Sequence, residues 1–132
     1  MVIKSSNLCA EIVEYSDNNE TSVCNLASIA LPKFIKNTKN SKEYDYNQLY
    51  ETAKLAAKNL DRVIDINFYP TDKTKISNNK HRPIGLGIQG LADVFFKLNI
   101  AYDSKKAFEI NKLIFETIYF GALEASCKLA KE

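Results

Sequence analysis

Histidine, cysteine and net charge are all scarce in this chain, and each scarcity removes a class of function. There is one histidine, His81, among 132 residues. It stands among Asn, Lys and Arg with no partner visible for acid–base work, so it reads as a solvated or structural residue. Three cysteines, Cys9, Cys24 and Cys127, are an odd number, which argues against a disulfide framework and for free or transiently oxidised thiols. Together with His81 they lack the short paired spacings of a zinc site, so no metal is expected. The formal net charge of +2 is too small to suggest nucleic acid or a membrane surface. The lysine-rich residues 33–42 read as a solvated loop, with only Phe34 available for base stacking. No run approaches the roughly 18 apolar residues needed to span a bilayer. Met1-Val2-Ile3-Lys4-Ser5-Ser6 has no hydrophobic signal core, so the expected compartment is cytoplasmic. With no repeat, low-complexity tract or linker, the length suits a single domain.

Chemistry is concentrated near the start. In Asn7-Leu8-Cys9-Ala10-Glu11 an amide, a thiol and a carboxylate stand at alternate positions. On an extended backbone Asn7, Cys9 and Glu11 would project to one side and Leu8, Ala10 and Ile12 to the other. Cys24 follows fifteen residues after Cys9, in Val23-Cys24-Asn25-Leu26-Ala27-Ser28. A thiol beside a carboxylate, with a second thiol in reserve, suggests redox chemistry with a proton acceptor in place. Spacing alone leaves Cys9 and Cys24 open between that role and the core, although two polar partners on a core face would need explaining. Cys127, between Ala125 and Leu129, reads as a small buried hydrophobe.

The rest of the chain supplies scaffold. Residues 7–15 alternate well enough for a strand, 16–20 form a turn cluster, and 21–29 suit a second strand or a short helix before Pro32. Residues 36–42 read as an exposed loop. Asp45, with Gln48 three residues on, opens a helix. Its stripe is Leu49, Ala53, Ala56, Leu60, Val63 and Ile64, and Tyr69-Pro70 ends it. Residues 71–80 are polar and read as a loop. An apolar helix then runs through Leu91, Ala92, Val94, Phe95 and Leu98. A last helix starts at Ser104 and is apolar over most of its girth, through Phe108, Leu113, Phe115, Ile118, Ala122, Leu123, Ala125 and Leu129; such a helix wants burial on several sides. Between these helices, Gly85-Leu86-Gly87-Ile88-Gln89-Gly90 has the spacing of a dinucleotide-binding turn. Pro83 stands where the required strand should end, and Asp103 comes too early for the ribose-binding acid. The glycines therefore read as permitting a tight entry into a closely packed helix.

Taken together, these blocks resemble the large, catalytic subunit of class I ribonucleotide reductase. The likeness runs through Asn7 to Tyr15, Val23 to Ser28 and Asp65-Ile66-Asn67. It continues through His81 to Asp93, Phe115 to Tyr119 and Gly121 to Cys127, in order over nearly the whole chain, and is closest to the eukaryotic and eukaryote-virus type. The resemblance implies an α/β fold, part of a ten-stranded α/β barrel, with this slice helix-rich and carrying few strands. It implies that residues 1–132 are a partial barrel domain, without the family's N-terminal ATP cone or C-terminal cysteine tail. Cys9 would become the thiyl radical that takes the ribose 3′-hydrogen. Glu11 would take the 3′-hydroxyl proton, Asn7 would hydrogen-bond the substrate and assist, and Asn7, Cys9 and Glu11 would all line the substrate site. Cys24 would be half of the reducing dithiol, with its partner outside this sequence.

The activity implied is reduction of ribonucleoside diphosphates to deoxyribonucleoside diphosphates for DNA synthesis. The resemblance implies no cofactor or metal on this chain: a metal-containing small subunit supplies the radical, and ATP and dATP bind elsewhere. Implied partners are that small subunit, a second large subunit, thioredoxin or glutaredoxin as reductant, and the diphosphate substrate, with no nucleic acid and no membrane. Two rivals are a complementation piece that acts only by docking with other reductase segments, and a free-standing thiol oxidoreductase using Cys9 and Cys24 with thiols of depressed pKa.

Overall fold

The computed structural model describes residues 2–3, 5–39 and 41–132. Two long helices carry the structure. The first, α1 (Tyr46–Ile66), starts where expected, because the Asp45 carboxylate accepts from the Gln48 backbone N–H at 3.1 Å. It buries Leu49, Ala53, Ala57, Leu60 and Ile64. The expected stripe is thus shifted: Ala57 replaces Ala56 on the buried line and Val63 is exposed, because the face turned to the core follows four-residue steps at Ala53–Ala57 and Leu60–Ile64 where the sequence suggests three-residue steps. It also ends before Tyr69-Pro70, at an extended Asn67. The other long helix, α4 (Lys105–Leu129), begins at Ser104, whose side chain accepts from Ala107 N–H at 3.1 Å. The two helices pack along each other.

The intervening segments build three two-stranded sheets. A hairpin pairs β1 (Ser5–Ser6) with β2 (Val13–Glu14). A second antiparallel pair, β4 (Ile35–Asn37) and β5 (Lys42–Tyr44), takes the two ends of what reads as a loop over 36–42; Asn40, inside that expected loop, lies outside the described residues, as do Met1 and Lys4. The third pair is parallel: β3 (Leu26–Ala30) against β6 (Gly85–Gln89), with Ser28 opposite Gly87. A single turn of 3₁₀ helix at Leu31–Phe34 follows β3, and α3 (Leu91–Lys97) follows β6. The core joins Ile29, Leu31 and Phe34 to Leu49, Val94 and Ile114. The described residues form a helix-rich α/β piece with one parallel pair and no closed barrel.

Two sequence expectations fail. Residues 71–80 are not a loop but a helix, α2 (Asp72–His81). Thr71 caps it, Asp72 suits the positive end of its dipole, and its buried residues are Thr74, Ser77 and Asn78. A helix whose inner face is polar leaves no apolar stripe to find. Cys127, expected in the core, is exposed instead, on the outer side of α4 with Phe108, Tyr119 and Phe120. The inner seam of α4 is taken by Ala107, Ile114, Ile118, Gly121 and Ala125. No helix among the described residues is long and apolar enough to cross a membrane.

Candidate functional site

Asn7 to Glu11 is not a strand. It is the tip of the β1–β2 hairpin, and Asn7 closes it with every polar group it has. Its backbone N–H donates to Ile12 O at 3.2 Å and its carbonyl accepts from Ala10 N–H at 3.1 Å. Its side-chain Oδ1 accepts from Ile12 N–H at 3.0 Å, and its Nδ2 donates to Glu11 Oε2. Ala10 turns the chain with φ of 62°, a left-handed conformation that costs an L-residue roughly 1–2 kcal/mol and that these bonds hold in place. Asn7 is therefore buried, while Leu8, Cys9 and Ala10 stand in solvent at the tip. The expected alternation of faces is lost. The pairing of Asn7 with Glu11 survives by a loop contact instead.

The Glu11 side chain lies over the parallel β3–β6 pair, and the glycines of β6 make room for it. A Cβ built on Gly85 would stand 3.1 Å from Glu11 Cβ and 2.5 Å from Leu26 Cδ2. One on Gly87 would stand 3.3 Å from Glu11 Oε1. The glycine spacing thus serves neither a dinucleotide nor a turn. The first two glycines lie inside a strand, and only Gly90, at φ of 80°, starts a helix. The reading of a tight helix entry holds at Gly90, the left-handed cap of α3, where a Cβ would also meet the Pro32 ring at 2.8 Å.

Cys24 reaches the same place from the other side. It immediately precedes Asn25, which is buried and clamped. Asn25 Nδ2 donates to Asn78 Oδ1 and to the Pro83 carbonyl, both at 2.9 Å. Asn78 Nδ2 donates to the Tyr69 hydroxyl at 2.7 Å, and that hydroxyl donates to the Ile64 carbonyl at 2.6 Å. The polar face of α2 thus fixes where β3 begins. From there the Cys24 Sγ–H donates to Glu14 Oε1 at 3.0 Å. The thiol is pushed up to about 11, first by loss of hydration and then by that carboxylate, with Glu11 and Cys9 adding to the push. Glu11 and Cys9 of the hairpin tip thus lie close enough for their charges to act on Cys24, which is itself exposed.

His81 ends α2 as a structural partner. Its Nε2 lies 2.8 Å from Glu20 Oε2, and Lys80 Nζ donates to Glu20 Oε1 at 2.8 Å. These two hold the Glu20 carboxyl below the usual carboxylate range, Lys80 first. Arg82 next door forks onto Asp61 and Asp65 of α1 at 2.6 and 2.9 Å. A cleft of about 390 Å³ runs beside the hairpin, lined by Glu11, Glu14, Tyr15, Ser22, Ser77 and His81 among others, a volume in the range of small-ligand sites. Among the described residues no three His, Cys, Asp or Glu side chains cluster as a metal site would.

Sequence reasoning missed Glu14 and the role of Gly85 and Gly87. On a flat strand Glu14 faces away from Glu11, and only the hairpin brings both carboxylates toward Cys24.

The family model described as "Ribonucleotide reductase, barrel domain" matches residues 1–132. The chain belongs to the ribonucleotide reductase barrel-domain family. It is 54% identical over 130 residues to the ribonucleoside-diphosphate reductase large subunit of Monkeypox virus, covering 98% of this chain and 16% of that relative. It is 55% identical over 132 residues to ribonucleoside-diphosphate reductase large chain 2 of Saccharomyces cerevisiae, covering 98% and 15%. The large subunit of Acanthamoeba polyphaga mimivirus is 53% identical over 131 residues, with 99% and 15% covered. The chain therefore spans about 16% of the length of the curated relatives it matches. The eukaryotic and eukaryote-virus character of the ribonucleotide reductase resemblance agrees with these relatives.

Proposed function

We propose that this chain forms the radical-bearing part of a ribonucleoside-diphosphate reductase large subunit, as a partial barrel domain. Cys9, exposed at the hairpin tip, takes the 3′-hydrogen atom of the ribose as a thiyl radical. Glu11 takes the 3′-hydroxyl proton, which pushes electron density toward C2′ and helps the 2′-hydroxyl leave as water. Asn7 holds the Glu11 carboxylate in place and shares the proton's path. Two electrons and two protons are needed to replace the C2′–OH bond by C2′–H. A dithiol supplies both on closing to a disulfide, and Cys24 is one half of it. The other half is a cysteine outside this sequence, and thioredoxin or glutaredoxin reopens the bond. The radical arrives from a metal-containing small subunit, and ATP or dATP acts elsewhere in the dimeric enzyme. The chain by itself turns over no substrate, because half its redox pair is absent.

The observation that carries this reading is the Asn7–Glu11 contact that closes a loop with an exposed thiol at its tip. A free-standing thiol oxidoreductase fits poorly, since it needs activated thiolates and Cys24 is pushed the opposite way. A complementation piece is a second reading, favoured by the uncovered apolar side of α4, where Phe108, Tyr119 and Phe120 are each more than 60% exposed. A stable, compact monomer on size-exclusion chromatography would count against it.

The test is a graft. Residues 1–132 replace the matching segment of the yeast large chain, and the product is assayed for dCDP from CDP with small subunit and dithiothreitol. Turnover close to that of the parent is expected. A graft that binds the small subunit yet forms no dCDP overturns the reading. In the same graft Gly87→Ala presses on the Glu11 carboxylate and is expected to lower turnover by about tenfold or more, because small misplacements of a reacting group are costly. Unchanged turnover would show that Glu11 does not need the space.

A further inference from the structure

Glu14 has no part in the chemistry above, yet it is 8% exposed and its carboxylate meets the Cys24 sulfur. A carboxylate withdrawn from water needs hydrogen-bond donors, and the Cys24 S–H is one. The two ends of this contact are fixed independently. Glu14 sits in β2, opposite Ser5 in the hairpin register. Cys24 is held by the clamp on Asn25, whose carbonyl also accepts from Gly85 N–H at 2.9 Å.

We propose that Glu14 is a positioning residue that holds Cys24, an exposed cysteine, as an S–H donor hydrogen-bonded to β2, a source of hydrogen withheld from thiolate exchange with solvent disulfides by the carboxylate and not by burial. An ionised carboxylate can only accept, so the contact exists only while the sulfur carries its proton. The thiolate is the form that attacks disulfides and alkylating agents, whereas only the thiol can give up a proton or a hydrogen atom. The groups acting on Cys24 are Glu14 from β2 and Glu11 and Cys9 from the hairpin tip, and all three oppose the thiolate. The benefit to ribose reduction rests on the reading of the site given above; the hold on the thiol does not.

The test is made on the chain itself. Iodoacetamide alkylation of Cys24 is followed by mass spectrometry of its peptide at pH 8, against glutathione as a free thiol and Cys127 as an internal reference. Cys24 is expected to react at least tenfold more slowly than glutathione. Glu14→Gln keeps the size and removes the charge. It is expected to speed Cys24 alkylation about tenfold, one unit of midpoint being tenfold in thiolate, with Cys127 unchanged and the far-ultraviolet circular dichroism retained. Glu14→Asp, which draws the carboxylate back, gives an intermediate rate. An ordinary rate for Cys24 in the unsubstituted chain, or an unchanged rate in folded Glu14→Gln, overturns the proposal. Should Glu14→Gln fail to fold, the unsubstituted chain and Glu14→Asp decide it. An inactive graft with a slow Cys24 would instead count against the reductase reading and leave this proposal standing.

Discussion

Glu11→Gln in the grafted enzyme is expected to lower turnover by about 10²–10⁴-fold, the usual worth of a positioned acid–base group. The glutamine can still accept the Asn7 Nδ2 hydrogen bond, so the loop stays closed. What it loses is the ability to take a proton. The loss is therefore expected in kcat, with KM for CDP changed little, because substrate binding does not depend on that proton. Steady-state dCDP formation over a range of CDP concentrations separates the two. A kcat within threefold of the parent would show that some other group takes the 3′-hydroxyl proton.

The second large effect is on stability. Leu49 is fully buried, near the start of α1, within the core that joins α1, α3 and α4. Leu49→Ala removes three carbons from that core and is expected to cost about 2–5 kcal/mol, transfer and cavity together. Its neighbours Leu31 and Ile114 are likewise fully buried and belong to different elements, so they cannot both move to fill the space. Urea unfolding followed by circular dichroism measures the loss. A change below about 1 kcal/mol would mean that this cluster is not the core of the chain in solution.

How legible the fold was depends on which signal each segment carries. The long helices α1 and α4 were readable because both have a side-chain cap and an apolar stripe, Asp45 before Leu49 and Ser104 before Ile114. In α2 the inner positions are Thr74, Ser77 and Asn78, whose burial is made tolerable by partners far away in sequence, Asn25 above all. No periodicity of apolar residues can report that. The residue types at the site were legible and their geometry was not. Alternation at Asn7, Cys9 and Glu11 fits a strand equally well, and what decides for a hairpin tip is Asn7 bonding its own backbone neighbours, a habit of asparagine in turns. Glu14 was invisible for the same reason, since its partner depends on where the tip turns. The glycines at 85 and 87 suggest backbone freedom from sequence, but they matter for the side chains they lack.

All of this converges on the sulfur at the hairpin tip. The most direct measurement is dCDP formation by the grafted enzyme carrying Cys9→Ser, assayed beside the unsubstituted graft with small-subunit binding as the folding control. Replacing sulfur by oxygen removes a hydrogen atom that can be given up readily and leaves the shape of the tip almost unaltered. The account predicts a folded protein that binds the small subunit and forms no detectable dCDP. Turnover of the serine variant at a rate comparable with the unsubstituted graft would contradict it.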